Sequence, residues 1–238
     1  MLADEVSLFS AGQFAQDIHK PKEFLFGLTE LISKQLPLWR DRKDRQSQIA
    51  ETRLTSQFCA HLSSVTRHLP GWDILQFRTE EPDETQANRS LDLIAAPAGC
   101  RIVVDGRNYS DFDPLLPIEC KRLPTPKGSK RDEREYVFSD KSTTGGIDRF
   151  KQGFHGAAHD HAMMIGYVQS CNHSHWHKTI NDWITGLKSE GATNWTDSDL
   201  LKLINHWEAQ GLTLLDSSHI RSGELTSIAI KHAWIQMS

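Results

Sequence analysis

Apolar residues recur at helical spacing near the start of the chain, where Phe24, Leu28, Leu31, Ile32 and Leu36 share one side. Pro21 marks a helix start and Pro37 a stop, so residues 1–39 read as helical pieces. A charged link at 41–45 leads to a second helix over 46–69, closed by Pro70 and Gly71. Its stripe is Leu54, Phe58, Leu62, Val65 and Leu69. The period then shortens to that of strands, expected at 72–78, 90–96, 100–104 (short, and readable as part of a hairpin) and 115–120, with a polar loop at 80–88 and a turn at 105–108 (DGRN). Residues 124–142 are polar and charged and read as an exposed, mobile loop. Thr143, Thr144, Gly145 and Gly146 open a helix over 145–160. The run 162–168 (AMMIGYV) is apolar throughout, as a strand buried on both faces is. Helices over 175–189 and 197–209 follow, then strands at 212–220 and 225–237 around a hairpin loop at 221–224 (RSGE).

This order predicts an α/β or α+β sandwich rather than a helical bundle, and α/β is the class adopted. It divides into a helical extension at 1–45, a core at 46–170 and a C-terminal α+β extension at 171–238 packed on the same domain. A chain of 238 residues suffices for that arrangement.

Composition narrows the function classes. With 38% apolar and 24% charged residues the chain has the make-up of a soluble globular protein. No uncharged apolar run is long enough to span a membrane. The N-terminus (MLADEV) lacks the basic-then-apolar order of a signal peptide, and Cys59, Cys100, Cys120 and Cys171 form no CxxC pair; together these point to a reducing cytoplasm. A net charge of −4 and a pI of 6.3 argue against a protein that coats nucleic acid, but not against an enzyme that meets it over a small basic area or is delivered by a partner. Basic residues do cluster, at Arg40, Arg42, Lys43 and Arg45, and again at Lys121, Arg122, Lys127, Lys130, Arg131 and Arg134.

Chemistry concentrates in residues 115–123 (LLPIECKRL). Strand alternation puts Glu119 and Lys121 on one face and Ile118 and Cys120 on the other. Alone, the first two could be an ion pair. Asp92 is a second carboxylate inside an otherwise apolar strand, where an unpaired charge is unfavourable. A divalent metal between Asp92 and Glu119, with Lys121 beside it, would satisfy all three. Glu51 falls within the apolar stripe of the second helix, where it either serves the helix dipole or delivers a further carboxylate to the same place.

An Asp followed, after a variable loop, by Glu-x-Lys on the next strand resembles the PD-(D/E)XK nuclease superfamily, which has the restriction-endonuclease-like fold. Asp92, Glu119-Cys120-Lys121, the helix bearing Glu51, the helix at 145–160 and the strand at 162–168 follow that family's αβββαβ order over roughly 46–170. Two departures stand out. Ser90 and Leu91 precede Asp92 in place of the literal Pro-Asp, and a long insertion leaves Asp105, Asp111 and Asp113 as rival carboxylates. The resemblance implies a central mixed sheet flanked by helices and hydrolysis of phosphodiester bonds, in DNA rather than RNA. Asp92, Glu119 and the Cys120 carbonyl would hold Mg2+ (or Mn2+), with Glu51 in support. The metal would polarise the phosphate and acidify a bound water, while Lys121 orients that water and offsets developing charge. Arg149, Gln152 and Arg122 would contact the nucleic acid. Family context further implies a role in bacterial restriction or anti-phage defence, with a protein partner such as an ATPase or helicase subunit. The alternative is a catalytically idle subunit that keeps the fold for interaction.

A third reading rests on His155, His159, His161, His173, His175 and His177. If residues 171–177 were a strand, His173, His175 and His177 would project to one side as a Zn2+ or Ni2+ set, although no finger spacing accompanies them.

Overall fold

A seven-stranded mixed sheet, in the order β1-β2-β5-β6-β9-β8-β7, runs through the computed structural model, which describes residues 23–83, 89–128, 131–140, 145–191 and 194–237. Its strands are β1 (Leu75–Pro82), β2 (Ser90–Pro97), β5 (Leu116–Leu123), β6 (His161–Val168), β7 (Lys202–Trp207), β8 (Leu212–His219) and β9 (Ile228–Gln236). β5, β6 and β9 are mutually parallel and their neighbours antiparallel. A separate hairpin joins β3 (Ile102–Val104) to β4 (Arg107–Tyr109). Asp105 and Gly106 turn it with φ of 50° and 80°, the left-handed pair that a tight hairpin uses and that Asp-Gly supplies. The chain is thus α/β with a mixed central sheet flanked by helices.

On one face lie α1 (Glu23–Arg40), α2 (Glu51–Thr66) and the β3–β4 hairpin. Leu28, Ile32, Leu36 and Trp39 of the first helix and Leu54, Phe58 and Leu62 of the second are fully buried there against Leu93, Ile118 and Ile165. On the other face lie α3 (Gly146–Lys151) and α4 (His173–Ser189), whose Trp176, Ile180 and Ile184 pack on Met164, Leu215, Ile230 and Trp234. Burying such apolar side chains on both faces supplies the main stabilisation, at roughly 1.5–3 kcal/mol each.

Several expectations need correction. Pro37 does not stop α1; it sits in the last turn of a helix that continues to Arg40. α2 begins at Glu51, not 46, and ends at Thr66. β1 begins at Leu75 and takes in Glu80 to Pro82, so the start of the expected polar loop is strand; residues 84–88 lie outside the described residues. The short strand at 100–104 does form a hairpin, as Ile102–Val104 pairs with Arg107–Tyr109 outside the main sheet. The expected helix at 197–209 is a 3-10 turn at Asp197–Asp199 followed by β7, because this segment pairs with β8. β9, from the C-terminal segment, inserts beside β6 in the main sheet, with Met164 level with His232.

The expected mobile loop is also ordered where described. Tyr136 and Val137 are buried, and the carbonyls of Glu135, Tyr136 and Val137 accept the amides of Gly146, Ile147 and Asp148. This loop therefore closes the N-terminus of α3, which would otherwise leave those donors unpaired. The helix that Thr143 and Thr144 were expected to open starts at Gly146, and both threonines lie outside the described residues. α3 then ends at Lys151, well short of 160, because Gly153 and Gly156 adopt left-handed φ of 68° and 59°. A β-carbon on Gly145 would come within 2.6, 2.9 and 3.0 Å of backbone atoms of Phe138 and Ser139. Gly145→Ala should therefore destabilise the fold by about 1–3 kcal/mol, read as a lowered urea midpoint, because rigid backbone cannot give way as a side chain can.

A chain of hydrogen bonds crosses the second core. Trp234 Nε1–H donates to Tyr136 Oη, which meets His232 Nδ1 at 2.9 Å. His232 Nε2 lies 2.7 Å from Ser217 Oγ, and Ser217 Oγ lies 2.6 Å from His219 Nε2. His219 Nδ1 meets Asp199, which also takes Lys151 Nζ at 2.6 Å. Asp199 can only accept, so His219 carries its proton on Nδ1, Ser217 donates to His219 Nε2, and His232 donates from Nε2. Every polar atom in the chain is then used with both imidazoles neutral.

Candidate functional site

β2 and β5 pair only over Leu93↔Ile118, Ile94↔Pro117 and Ala95↔Leu116. Past Ile118, β5 stays paired with β6 and the beginning of β2 stays paired with β1, so a gap opens between them. Two amides on the freed edge of β5 are taken by side chains. Asp92 Oδ2 accepts the Cys120 N–H at 2.8 Å, and Glu51 Oε2 accepts the Arg122 N–H at 2.9 Å. Asp92 comes from β2 and Glu51 from the first turn of α2, a helix with no side-chain N-cap. Both line a cleft of about 290 Å³ together with Thr52, Thr55, Ser56 and Thr79.

Lys121 sits at the convergence. Its Nζ is 2.6 Å from Glu119 Oε1, 3.5 Å from Asp92 Oδ2 and 3.7 Å from Glu51 Oε1, and it donates to the Cys120 carbonyl at 3.2 Å. Glu119 is fully buried. Arg149 on α3 donates to the same Glu119 oxygen at 2.8 Å, and His155 Nδ1 lies 3.1 Å from the other. Three carboxylates, two fixed cations and one imidazole thus meet where the parallel part of the sheet ends its strands, the usual position of a site in an open α/β sheet.

Their electrostatics follow from burial and charge. Burial, followed by the neighbouring Glu119, pushes the Asp92 carboxyl up to about 6, against the pull of Lys121. Burial alone would also raise Glu119, but Lys121, His155 and Arg149 hold it well below the usual carboxylate range. For Lys121, burial disfavours the ammonium, yet Asp92, Glu119 and Glu51 together raise it further above its ordinary value. Cys120 points its thiol into the opposite core, where burial keeps it protonated beside Tyr167 and Thr55. Only its backbone serves the site.

The sequence-derived candidates divide accordingly. Asp92, Glu119, Lys121, Glu51, the Cys120 carbonyl and Arg149 come together. Arg122 takes part through its amide. Gln152 does not reach the cluster; it bonds Asp148 and Ser222 at the end of α3. His155 was missed as a partner of Glu119, since only the end of α3 at Lys151 lets the following turn fold back. The rivals Asp111 and Asp113 serve the loop after the hairpin, through Gly99, Ser110 and the Arg78 guanidinium, and Asp105 forms the hairpin turn.

The histidine set is overturned. Residues 173–177 are the first turns of α4, where His175 and its neighbours diverge. His173 Nδ1 meets Thr213 and His206, while His177 Nε2 donates to the Leu201 carbonyl. Among the described residues no three His, Cys, Asp or Glu side chains form a ready metal cage. No helix among them is long and apolar enough to cross a membrane.

No protein-family model matches the chain, and neither a curated protein nor a solved structure matches it.

Proposed function

We propose that the chain is a metal-dependent nuclease with a restriction-endonuclease-like core, acting on DNA. The observation that carries this reading is the Lys121 ammonium set among carboxylates from β2, β5 and α2 at the mouth of a cleft. The donor set suits a hard cation: Asp92 and Glu51 on the cleft, Glu119 behind them and the Cys120 carbonyl are all oxygens. These residues would hold Mg2+ or Mn2+, which when bound supplies a Lewis acid for the phosphate and a more acidic water.

The chain's own groups do the rest. Lys121 stays protonated, so it cannot act as a base; it orients the attacking water and offsets charge growing on the phosphate oxygens. Glu119 fixes Lys121 and Arg149 in place through charge-assisted hydrogen bonds.

Plasmid, single-stranded DNA and RNA incubated with the protein and Mg2+ or Mn2+ test this. DNA cleavage that EDTA stops, and that Asp92→Asn lowers by roughly 10²-fold, is the expected outcome. Undiminished cleavage by Asp92→Asn would remove the site assignment. A second reading is favoured by one observation: every carboxylate here already has a protein partner. A structural cluster of that kind fits an idle interaction subunit, which would neither cleave nor bind Mn2+ at this site.

A further inference from the structure

The sheet face that carries α1 is covered unevenly. α1 and α2 close it over β5, β6 and β9, whereas all six residues of β7 are exposed. Between α1 and these outer strands runs a groove of about 770 Å³. Leu25, Phe26 and Thr29 line it from α1, and Leu116, Ala229 and Ile204 line it from the strands. Phe26 and Ile204 are 54% and 56% exposed, which leaves a large aromatic and a β-branched side chain uncovered in one groove. Its Asp216 and Lys231 are already paired with each other at 2.7 Å, so what the groove offers an occupant is apolar contact.

The chain itself leads there. α1 starts at Glu23, which lines the groove, so the residues just before it are delivered to the rim. Their sequence suits an apolar groove. Ala11, Phe14, Ala15 and Ile18 recur at the spacing of one helical face, and Ser10 and Gln13 have the spacing of a capping box. Pro21 ends that pattern and biases Lys20 toward extended backbone, which separates the stretch from α1 and lets it turn off the axis of that helix. Ile18 stands five positions before Glu23, a span of at most about 18 Å. We propose that residues 11–18 occupy this groove as an amphipathic helix, with Phe14 and Ile18 against Leu25, Phe26 and Ile204. The tether favours this occupant over a free partner, because it holds the segment at an effective concentration on the order of millimolar.

Amide hydrogen exchange of the full chain, read beside a synthetic peptide of residues 1–22, tests the docking. Amides of residues 14–18 should exchange at least about tenfold more slowly in the protein than in the peptide, and equally so at every protein concentration. Phe14→Asp should abolish the difference, and so should Ile204→Asp or Phe26→Asp, which change only the groove. Ile204 and Phe26 are both more than half exposed, so these variants keep the fold, and unchanged protection of β6 and β9 verifies it. Exchange at the peptide rate in the wild type would overturn the proposal. So would protection that survives both groove variants, and so would protection that rises with protein concentration, which would mean that the segment serves a second copy.

Discussion

Changing Lys121 to methionine should lower Mg2+-dependent cleavage by roughly 10²–10³-fold, the effect of deleting one preorganised charge from a developing anion. The loss should appear in kcat rather than in KM, since the ammonium acts on charge that grows only in the transition state. The same change removes the cation that Asp92, Glu119 and Glu51 share. Asp92 would then become harder to ionise, and Mn2+ affinity at pH 8 should stay level or rise, because a bound cation no longer competes with an ammonium for the same oxygens. Calorimetry with Mn2+ beside single-turnover cleavage separates the two effects. Wild-type cleavage by Lys121→Met would rule out its assigned role, and lost cleavage together with lost Mn2+ binding and a collapsed Tm would reveal a folding defect.

The second large effect lies away from the cleft. Lys151 and Asp199 are both almost completely buried, and Lys151 Nζ also donates to the carbonyls of Asn194 and Ile220. Burial opposes both charges. At Asp199 the bonds from His219 and Lys151 prevail and hold the carboxyl low, whereas at Lys151 burial prevails and makes the ammonium more acidic than usual. Lys151→Met leaves a buried carboxylate short of its cation and should destabilise the protein by about 3–5 kcal/mol, or on the order of 10 °C in Tm. Lys151→Met with Asp199→Leu should recover part of that loss, since an apolar pair of similar volume replaces the ions without stranding either. A double variant no better than the single one would show that the pair is not the source of the effect. Because Lys151 ends the helix that carries Arg149, cleavage should fall along with stability.

Acid should act on the same region. Burial holds His219 below its ordinary value, His232 well below it, and His173 at about 4. The unfolded chain binds these protons near pH 6.5 while the folded chain resists them, so the stability from neutral imidazoles is complete above that pH. It should decline as pH falls from 6.5 toward 4, by about 1.4 kcal/mol per pH unit for each imidazole. Urea midpoints measured from pH 8 to 4 should show this slope, and His173→Gln should flatten it. Asp92 works the other way with its raised carboxyl, but as a single group against three.

Much of this was legible before any coordinates. The alternation in residues 90–96 and the unbroken apolar run at 162–168 gave β2 and β6 to within a residue or two, because strands buried in a sheet leave a strong pattern. Glu51 on an apolar stripe and Asp92 in an apolar strand stood out as charges needing partners, and both have them. What was not legible depends on distant partners. Residues 202–207 carry no signal that distinguishes an edge strand from a helix until β8 lies alongside. Tyr136 and Val137 look like part of a polar loop until their carbonyls are seen to close α3. The link between His155 and Glu119 spans 36 positions and turns on two glycines that end a helix early.

The position of β9 sets a condition on how the chain can be made. Residues up to 168 contain both strands that carry the acidic cluster, yet the far edge of β6 finds its partner only when residues 228–236 arrive. A ribosome-bound chain ending anywhere before that point presents Met163, Met164 and Ile165 on an open, apolar strand, the kind of surface that aggregates in nascent intermediates. Completion of the sheet is therefore a late, long-range step, so folding should be slow for a chain of this size and C-terminal truncations should be found in the insoluble fraction.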